Sequence, residues 1–168
     1  MSKQVRAASL VAMAALLLVG CTTGATPQPT TTYTPKVYVN APLTGMPFEE
    51  GTRPSLNGPS VACKIDNVHT ETLKANINRA DMVYVELVEG GLTRLVAVWH
   101  SDLPTAVGPV RSIRPMDPDI ISPLGGIVCY SGGQLKFVTM MRNTNVYNAT
   151  ETSEQTHGTF TRAKDREA

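Results

Sequence analysis

The sequence predicts an α/β or α+β domain built on a mixed central sheet, and three observations carry that prediction. Residues 81–88 alternate Met82, Tyr84, Glu86 and Val88 against Val83, Val85 and Leu87, the period of a half-buried strand. A second strand-like run over 92–99 follows Glu89-Gly90-Gly91. Adjacent glycines suit a tight positive-φ turn, so the two runs are predicted to pair as a β-hairpin. Helical patterning lies beside them, since Gly132-Gly133 leads into an amphipathic stretch over 134–141.

The chain opens with Lys3 and Arg6 and no acidic residue near them, then runs apolar over 7–19, broken only by Ser9. That length suits a signal-peptide core and falls short of the ~20 residues a helix needs to span a bilayer. Leu18-Val19-Gly20-Cys21 closes the segment with the pattern of a lipobox. The chemistry explains the spacing: a signal peptidase needs small side chains just upstream of its cut, and the thiol of Cys21 receives the lipid, with palmitate-type acyl chains in the finished anchor. Residues 1–20 are therefore predicted to be a lipoprotein signal peptide. Cys21 then ties an exported protein to a membrane of the cell envelope.

Residues 21–40 read as the lipidated cysteine and a tether, Thr- and Pro-rich and uncharged until Lys36. Such a stretch cannot bury a core, and at ~3.1 Å per residue it reaches roughly 40–50 Å when extended. Its Thr-Pro content is also compatible with O-glycosylation. The full chain has 15 basic and 14 acidic residues; removing Lys3 and Arg6 leaves 13 against 14. A near-neutral chain lacks the basic footprint of a nucleic-acid binder, and export disfavours DNA or RNA partners as well.

The globular part is predicted from residue 41 to 168, roughly 125 residues, enough for one domain with its own core. No internal repeat is present. Residues 61–66 read as a strand, 70–78 as a short helix, and 81–88 with 92–99 as the hairpin. A short helix over 115–122 contains Pro118 and is stopped by Pro123-Leu124-Gly125-Gly126. Residues 127–131 form a buried strand, 134–141 a helix, and 158–162 a last strand after a polar stretch over 143–157. With Cys21 assigned to lipid, Cys63 and Cys129 remain, each inside an apolar strand-like run. An oxidising exterior permits a disulfide between them; two buried thiols acting as small hydrophobes are the alternative left open.

Several blocks now stand in a recognisable order: Pro42-Leu43-Thr44-Gly45, Arg53-Pro54, Ile65-Asp66-Asn67, Ala80-Asp81-Met82-Val83-Tyr84-Val85-Glu86, Glu89-Gly90-Gly91-Leu92-Thr93-Arg94 and Gly108-Pro109-Val110-Arg111-Ser112-Ile113-Arg114. Together they resemble the YerB-like lipoproteins, a bacterial family whose N-terminal domain has no established function. The resemblance runs from about Pro42 to the C-terminus and implies a mixed α/β sandwich on a surface or periplasmic lipoprotein. It implies no reaction. Family members are generally much longer and carry a second, C-terminal domain. A chain ending in Thr161-Arg162-Ala163-Lys164-Asp165-Arg166-Glu167 is therefore read as lacking that domain. If that domain normally covers an apolar face of the sheet, this chain is expected to be marginally stable or sticky.

The densest group of chemistry-bearing residues is Glu86, Glu89, Arg94, Arg111, Arg114 and Asp117, with Asp66, Asn67 and Asp81 near in sequence. Arg111 and Arg114 flank Ser112-Ile113. A guanidinium's rigid fork matches carboxylate and phosphate, so Arg94, Arg111, Ser112 and Arg114 form a candidate anion site, for instance for a cell-wall fragment. The favoured reading, which does not exclude the first, is a structural network in which Arg94, Arg111 and Arg114 pair with Glu86, Glu89 and Asp117 and fix strand and loop geometry.

Catalytic patterns are weaker. Glu86 and Glu89 could serve a glycosidase only if both faced one cleft. His69, His100 and His157 lack metal-ligand spacing, Ser112 lacks a Gly-x-Ser-x-Gly context, and no dinucleotide fingerprint is present, so no metal or cofactor is predicted. Tyr84 and Trp99 are assigned to the core. A ligand- or partner-binding module is the favoured function, with an envelope hydrolase completed by a second domain as the alternative.

Overall fold

The strand β3 (Val61–Asp66) is buried from its second residue onward, and the sheet is assembled around it. The computed structural model describes residues 33–68 and 73–162. The stretch read as a signal peptide, Cys21, most of the stretch read as a tether, His69 and the charged run after Arg162 lie outside the described residues.

A short antiparallel hairpin, β1 (Tyr38–Asn40) with β2 (Pro47–Glu49), precedes β3. The sheet itself comprises β3, β4 (Met82–Leu87), β5 (Thr93–Trp99), β6 (Ile127–Tyr130) and β7 (Tyr147–Thr150) in the order β4-β5-β3-β6-β7. β4, β5 and β3 run antiparallel; β3, β6 and β7 run parallel. Two short helices, α1 (Asp117–Ile121) and α2 (Leu135–Arg142), complete an α/β-type domain. Parallel pairing demands crossovers: α1 lies in the long connection that ends at β6, and α2 in the one between β6 and β7.

Period-two alternation sorts the side chains. Ala62, Val96, Val98, Val128 and Tyr130 form one face of the sheet, packed with Ile113, Ile121 of α1, and Phe137 and Met141 of α2. The spacing of Phe137 and Met141, four residues apart, is what turns one helix face to the sheet. Cys63, Ile65, Leu95, Ala97 and Trp99 form the other face, covered by Ile77, Ala80, Val107 and Val110 from loops. β5 is therefore buried on both sides, which explains its unbroken apolar run from Leu95 to Trp99. Trp99 is 1% exposed and donates its indole N–H to the Asn76 carbonyl at 3.1 Å.

The predicted hairpin forms in the expected register, with Glu86 opposite Arg94 and a single 3-10 turn at Glu89–Gly91. Gly90 (φ 70°) and Gly91 (φ 72°) both use the left-handed region. Four features differ from the sequence expectation. Within 70–78, the described part is a bridge from Ala75 to Gly108 and a 3-10 turn at Ile77–Arg79. Asn76 at φ 58° interrupts any helical path there. Residues 158–162 form no strand; the parallel edge is taken instead by β7, from within the stretch read as polar loop. β1 uses Tyr38–Asn40, the last three residues of the stretch read as tether, whose alternating Val37-Tyr38-Val39 favours extended backbone. Among the described residues no helix is long and apolar enough to cross a membrane.

Candidate functional site

The candidate residues meet at one end of the sheet. β3 and β6 finish there, β4 ends at Leu87, and β5 begins at Thr93. In open α/β sheets the carboxyl ends of parallel strands are where crevices form. Cross-strand register places Glu86 opposite Arg94 and Arg94 opposite Asp66, so the three residues form a charged row on the face that carries the helices. The segment 109–114 is stitched across this end. Asp66 N–H donates to the Pro109 carbonyl at 3.0 Å, Arg111 N–H to Lys64 at 2.8 Å, Ser131 N–H to Arg111 at 3.1 Å, and Ile113 N–H to Gly132 at 2.9 Å. Those backbone bonds fix where Arg111 and Arg114 emerge. Gly133 makes the close approach possible, since a Cβ there would lie 2.9 Å from Ile113 Cγ2.

Beneath the arginines sits a group that the sequence reading missed. Lys64, one row inward on β3, is 0% exposed, and its Nζ donates to Glu86 Oε2 and, at 2.7 Å, to Asp117 Oδ1. Asp117, also 0% exposed, opens α1 and uses its other oxygen to accept the Arg114 backbone N–H. One ammonium thus faces two buried carboxylates. Burial pushes the Glu86 carboxyl up to about 7; the Lys64 hydrogen bond opposes this and the neighbouring Asp117 charge adds to it. Glu86 Oε1 is buried without a hydrogen-bond partner, and so is Arg94 Nε on the facing strand. Buried polar atoms of this kind are few in native structures, so a pair on facing residues calls for a physical reason. The signal for Lys64 was available: a lysine at the third inward position of Val61-Ala62-Cys63-Lys64-Ile65-Asp66 has no route to water.

The arginines then divide. Arg94 donates to the Ser112 carbonyl at 2.7 Å, so Ser112 contributes its backbone oxygen to the group. Burial first, and then the Arg114 guanidinium, hold Arg94 below its ordinary value. Arg111 meets Asp66 at 3.3 Å with 43% of its side chain exposed. Arg114 donates Nε to Glu89 at 2.8 Å, and the Glu89 carboxyl is held below its usual range by its own backbone N–H and then by Arg114. Arg114 thus pairs with Glu89, whereas Glu86 and Asp117 turn inward to Lys64. Arginine and lysine compete for the same carboxylates, and the shorter inward path from β3 wins at this depth. Glu86 and Glu89 do not share a cleft: one is buried, the other lies on the exposed turn.

Cys63 and Cys129 are register partners on β3 and β6, with Cα atoms 4.5 Å apart and their sulfurs joined. His100 Nε2 lies 3.1 Å from the Gly58 carbonyl, and His157 pairs with Glu154 at 3.4 Å. Among the described residues no three His, Cys, Asp or Glu side chains are grouped to hold a metal ion. A shallow depression beside the β1–β2 hairpin, lined by Val39, Glu49, Arg53 and Leu56, includes none of the charged row.

This arrangement can be set against known proteins. The family described as "Protein of unknown function (DUF3048) N-terminal domain" matches residues 43–168. The chain belongs to this family. The Bacillus subtilis (strain 168) protein named "Putative lipoprotein YerB" is 37% identical over 79 residues, covering 45% of this chain and 22% of that protein. A crystal structure of YerB from Bacillus subtilis superposes with a TM-score of 0.59 at 26% identity, over 68% of this chain and 39% of the other. The DUF3048 chain thus spans well under half the length of the relative it matches. All eight residues of the charged group (Lys64, Asp66, Glu86, Glu89, Arg94, Arg111, Arg114 and Asp117) fall inside the matched family region.

Proposed function

We propose that this DUF3048 chain is the N-terminal domain of a lipid-anchored envelope protein and that it binds an anion on Arg94, Arg111 and Arg114. The observation that carries the binding role is the gathering of three guanidinium groups at one sheet end, close enough for Arg114 to depress Arg94. Like charges are held together at a cost, and a docked carboxylate or phosphate offsets it with charge-assisted, fork-shaped hydrogen bonds. Arg111 pairs with Asp66 and Arg114 with Glu89, while Arg94 is bonded to the Ser112 carbonyl and its cross-strand neighbour Glu86 is held by Lys64. The lipobox ending in Cys21 and the name of the Bacillus relative, "Putative lipoprotein YerB", support the anchor. An envelope polymer bearing phosphate or carboxylate is the ligand class that fits both location and site.

Arg114→Lys separates binding from structure. Calorimetric titration with a phosphate-bearing envelope polymer is expected to show affinity lost about tenfold or more, while the thermal midpoint holds, because lysine keeps the charge and loses the fork. Unchanged affinity together with a lowered midpoint would assign Arg114 to the structural network alone.

A further inference from the structure

The buried triad beneath the arginines plays no part in holding the ligand, yet it is built like a proton store. We propose that an anion seated on Arg94, Arg111 and Arg114 is taken up together with a proton, which the Lys64–Glu86–Asp117 triad holds. The inference rests on the anion-site reading above and adds the regulation of that site.

Lys64 supplies one positive charge to two carboxylates that are 5% and 0% exposed, so the triad carries one buried negative charge when both are ionised. Buried charge in excess is costly, and a proton on one carboxylate removes it. Glu86 is the better acceptor. Both oxygens of Asp117 are engaged, one by Lys64 and one by the Arg114 N–H, whereas Oε1 of Glu86 has no partner. The groups facing Glu86 are Lys64 from β3, Asp117 from α1 and Arg94 from β5 directly opposite. Outside these lie Asp66 paired with Arg111 and Glu89 paired with Arg114.

Two links join the triad to the arginines. Asp117 touches both, through Lys64 Nζ and the Arg114 backbone. Glu86 and Arg94 are cross-strand partners, and each carries a buried atom without a hydrogen-bond partner, Oε1 and Nε. An anion seated on Arg94 places a negative charge on the residue opposite Glu86, and the neutral carboxyl is then favoured. By linkage the converse holds: a protonated Glu86 leaves Arg94 freer to attract an anion. Burial already brings Glu86 to about 7, so the exchange falls in a readable pH range.

The test uses sulfate, whose charge is constant between pH 6 and 8, titrated calorimetrically into the chain in two buffers of different ionisation enthalpy. The expected result is affinity rising several-fold, up to about tenfold, as pH falls from 8 to 6, with net proton uptake on binding. Glu86→Gln is expected to flatten the pH dependence. If that variant does not fold, the carbonyl-carbon shift of the Glu86 carboxyl, followed against pH with and without sulfate, reads the same proton directly. Saturable binding with no pH dependence and no proton uptake would overturn this inference and leave the anion site standing. An unchanged pH dependence in the folded variant would also overturn it. Absence of saturable sulfate binding at every pH would overturn both.

Discussion

Lys64→Met removes the ammonium that two buried carboxylates share, and the structure sets the size of the consequence. The side chains of Glu86 and Asp117 are 4% and 0% exposed, so neither can turn to water when Lys64 Nζ is lost. Breaking a buried ion pair by deleting one partner costs about 3–5 kcal/mol, because the remaining charge is uncompensated. Glu86 can escape by taking a proton, which makes the loss pH-dependent. Its folded value, already raised by burial, lies above the unfolded one, so the native state holds more protons than the unfolded chain as pH rises through neutrality. The destabilisation is therefore full at pH 8 and smaller at pH 5, where Glu86 is neutral. Urea unfolding of both proteins at pH 8 and pH 5, followed by the fluorescence of the single, buried Trp99, measures this directly. A loss under about 1 kcal/mol at pH 8, or an equal loss at both pH values, would refute the assignment of Lys64 as the counter-ion of the triad.

Other consequences are equally specific. In the wild type, the raised Glu86 value means that stability falls as pH rises from about 4.5 to about 7. Glu86→Gln should therefore gain up to about 3 kcal/mol above pH 7 and nothing below pH 4.5, read from denaturation midpoints across pH. Gly126→Ala should cost more than about 2 kcal/mol, since its φ is +74° and a Cβ would lie 2.3 Å from the Ser60 carbonyl oxygen; a melt within two degrees of wild type would contradict this. Cys63 and Cys129 are 66 residues apart in sequence, so a disulfide between them should contribute about 4 kcal/mol on a chain-entropy account. Mass spectrometry before and after alkylation tests whether it forms, and unfolding with and without reductant tests its size. Cys21→Ser should abolish incorporation of labelled lipid, and persistent labelling would remove the anchor from the account.

Legibility tracked the source of each signal. The β4–β5 hairpin was readable because alternation and two glycines are local properties, and Glu86 opposite Arg94 followed from them. β3, β6 and α2 were readable for the same reason. β7 was not: Tyr147-Asn148-Ala149-Thr150 is polar, and it becomes a strand because β6 offers an edge to pair with. The 158–162 segment shows the reverse: Thr159 and Phe160 favour extended backbone, yet no strand forms there. Within the site, Arg94, Arg111 and Arg114 stand out by residue type and spacing. Their partners were not, because depth decides them. Residue type and spacing offered Glu86 and Asp117 to the arginines; burial hands both to Lys64, the one fully buried cation among the described residues. The orphaned Glu86 Oε1 and Arg94 Nε are tertiary facts with no sequence signature.

The claim that the arginine cluster receives an anion is tested most directly by watching its own N–H groups. Nitrogen–proton spectra of the arginine Nε–Hε groups, recorded while sulfate is titrated into the chain, should show saturable shifts at Arg94 and Arg114 with a common midpoint. Arg79, held at the surface by Asp102 at 2.6 and 2.8 Å, should stay in place and serves as the internal control. Shifts that never saturate, or that are equal at Arg79 and Arg94, would contradict a built site and leave the cluster a structural network.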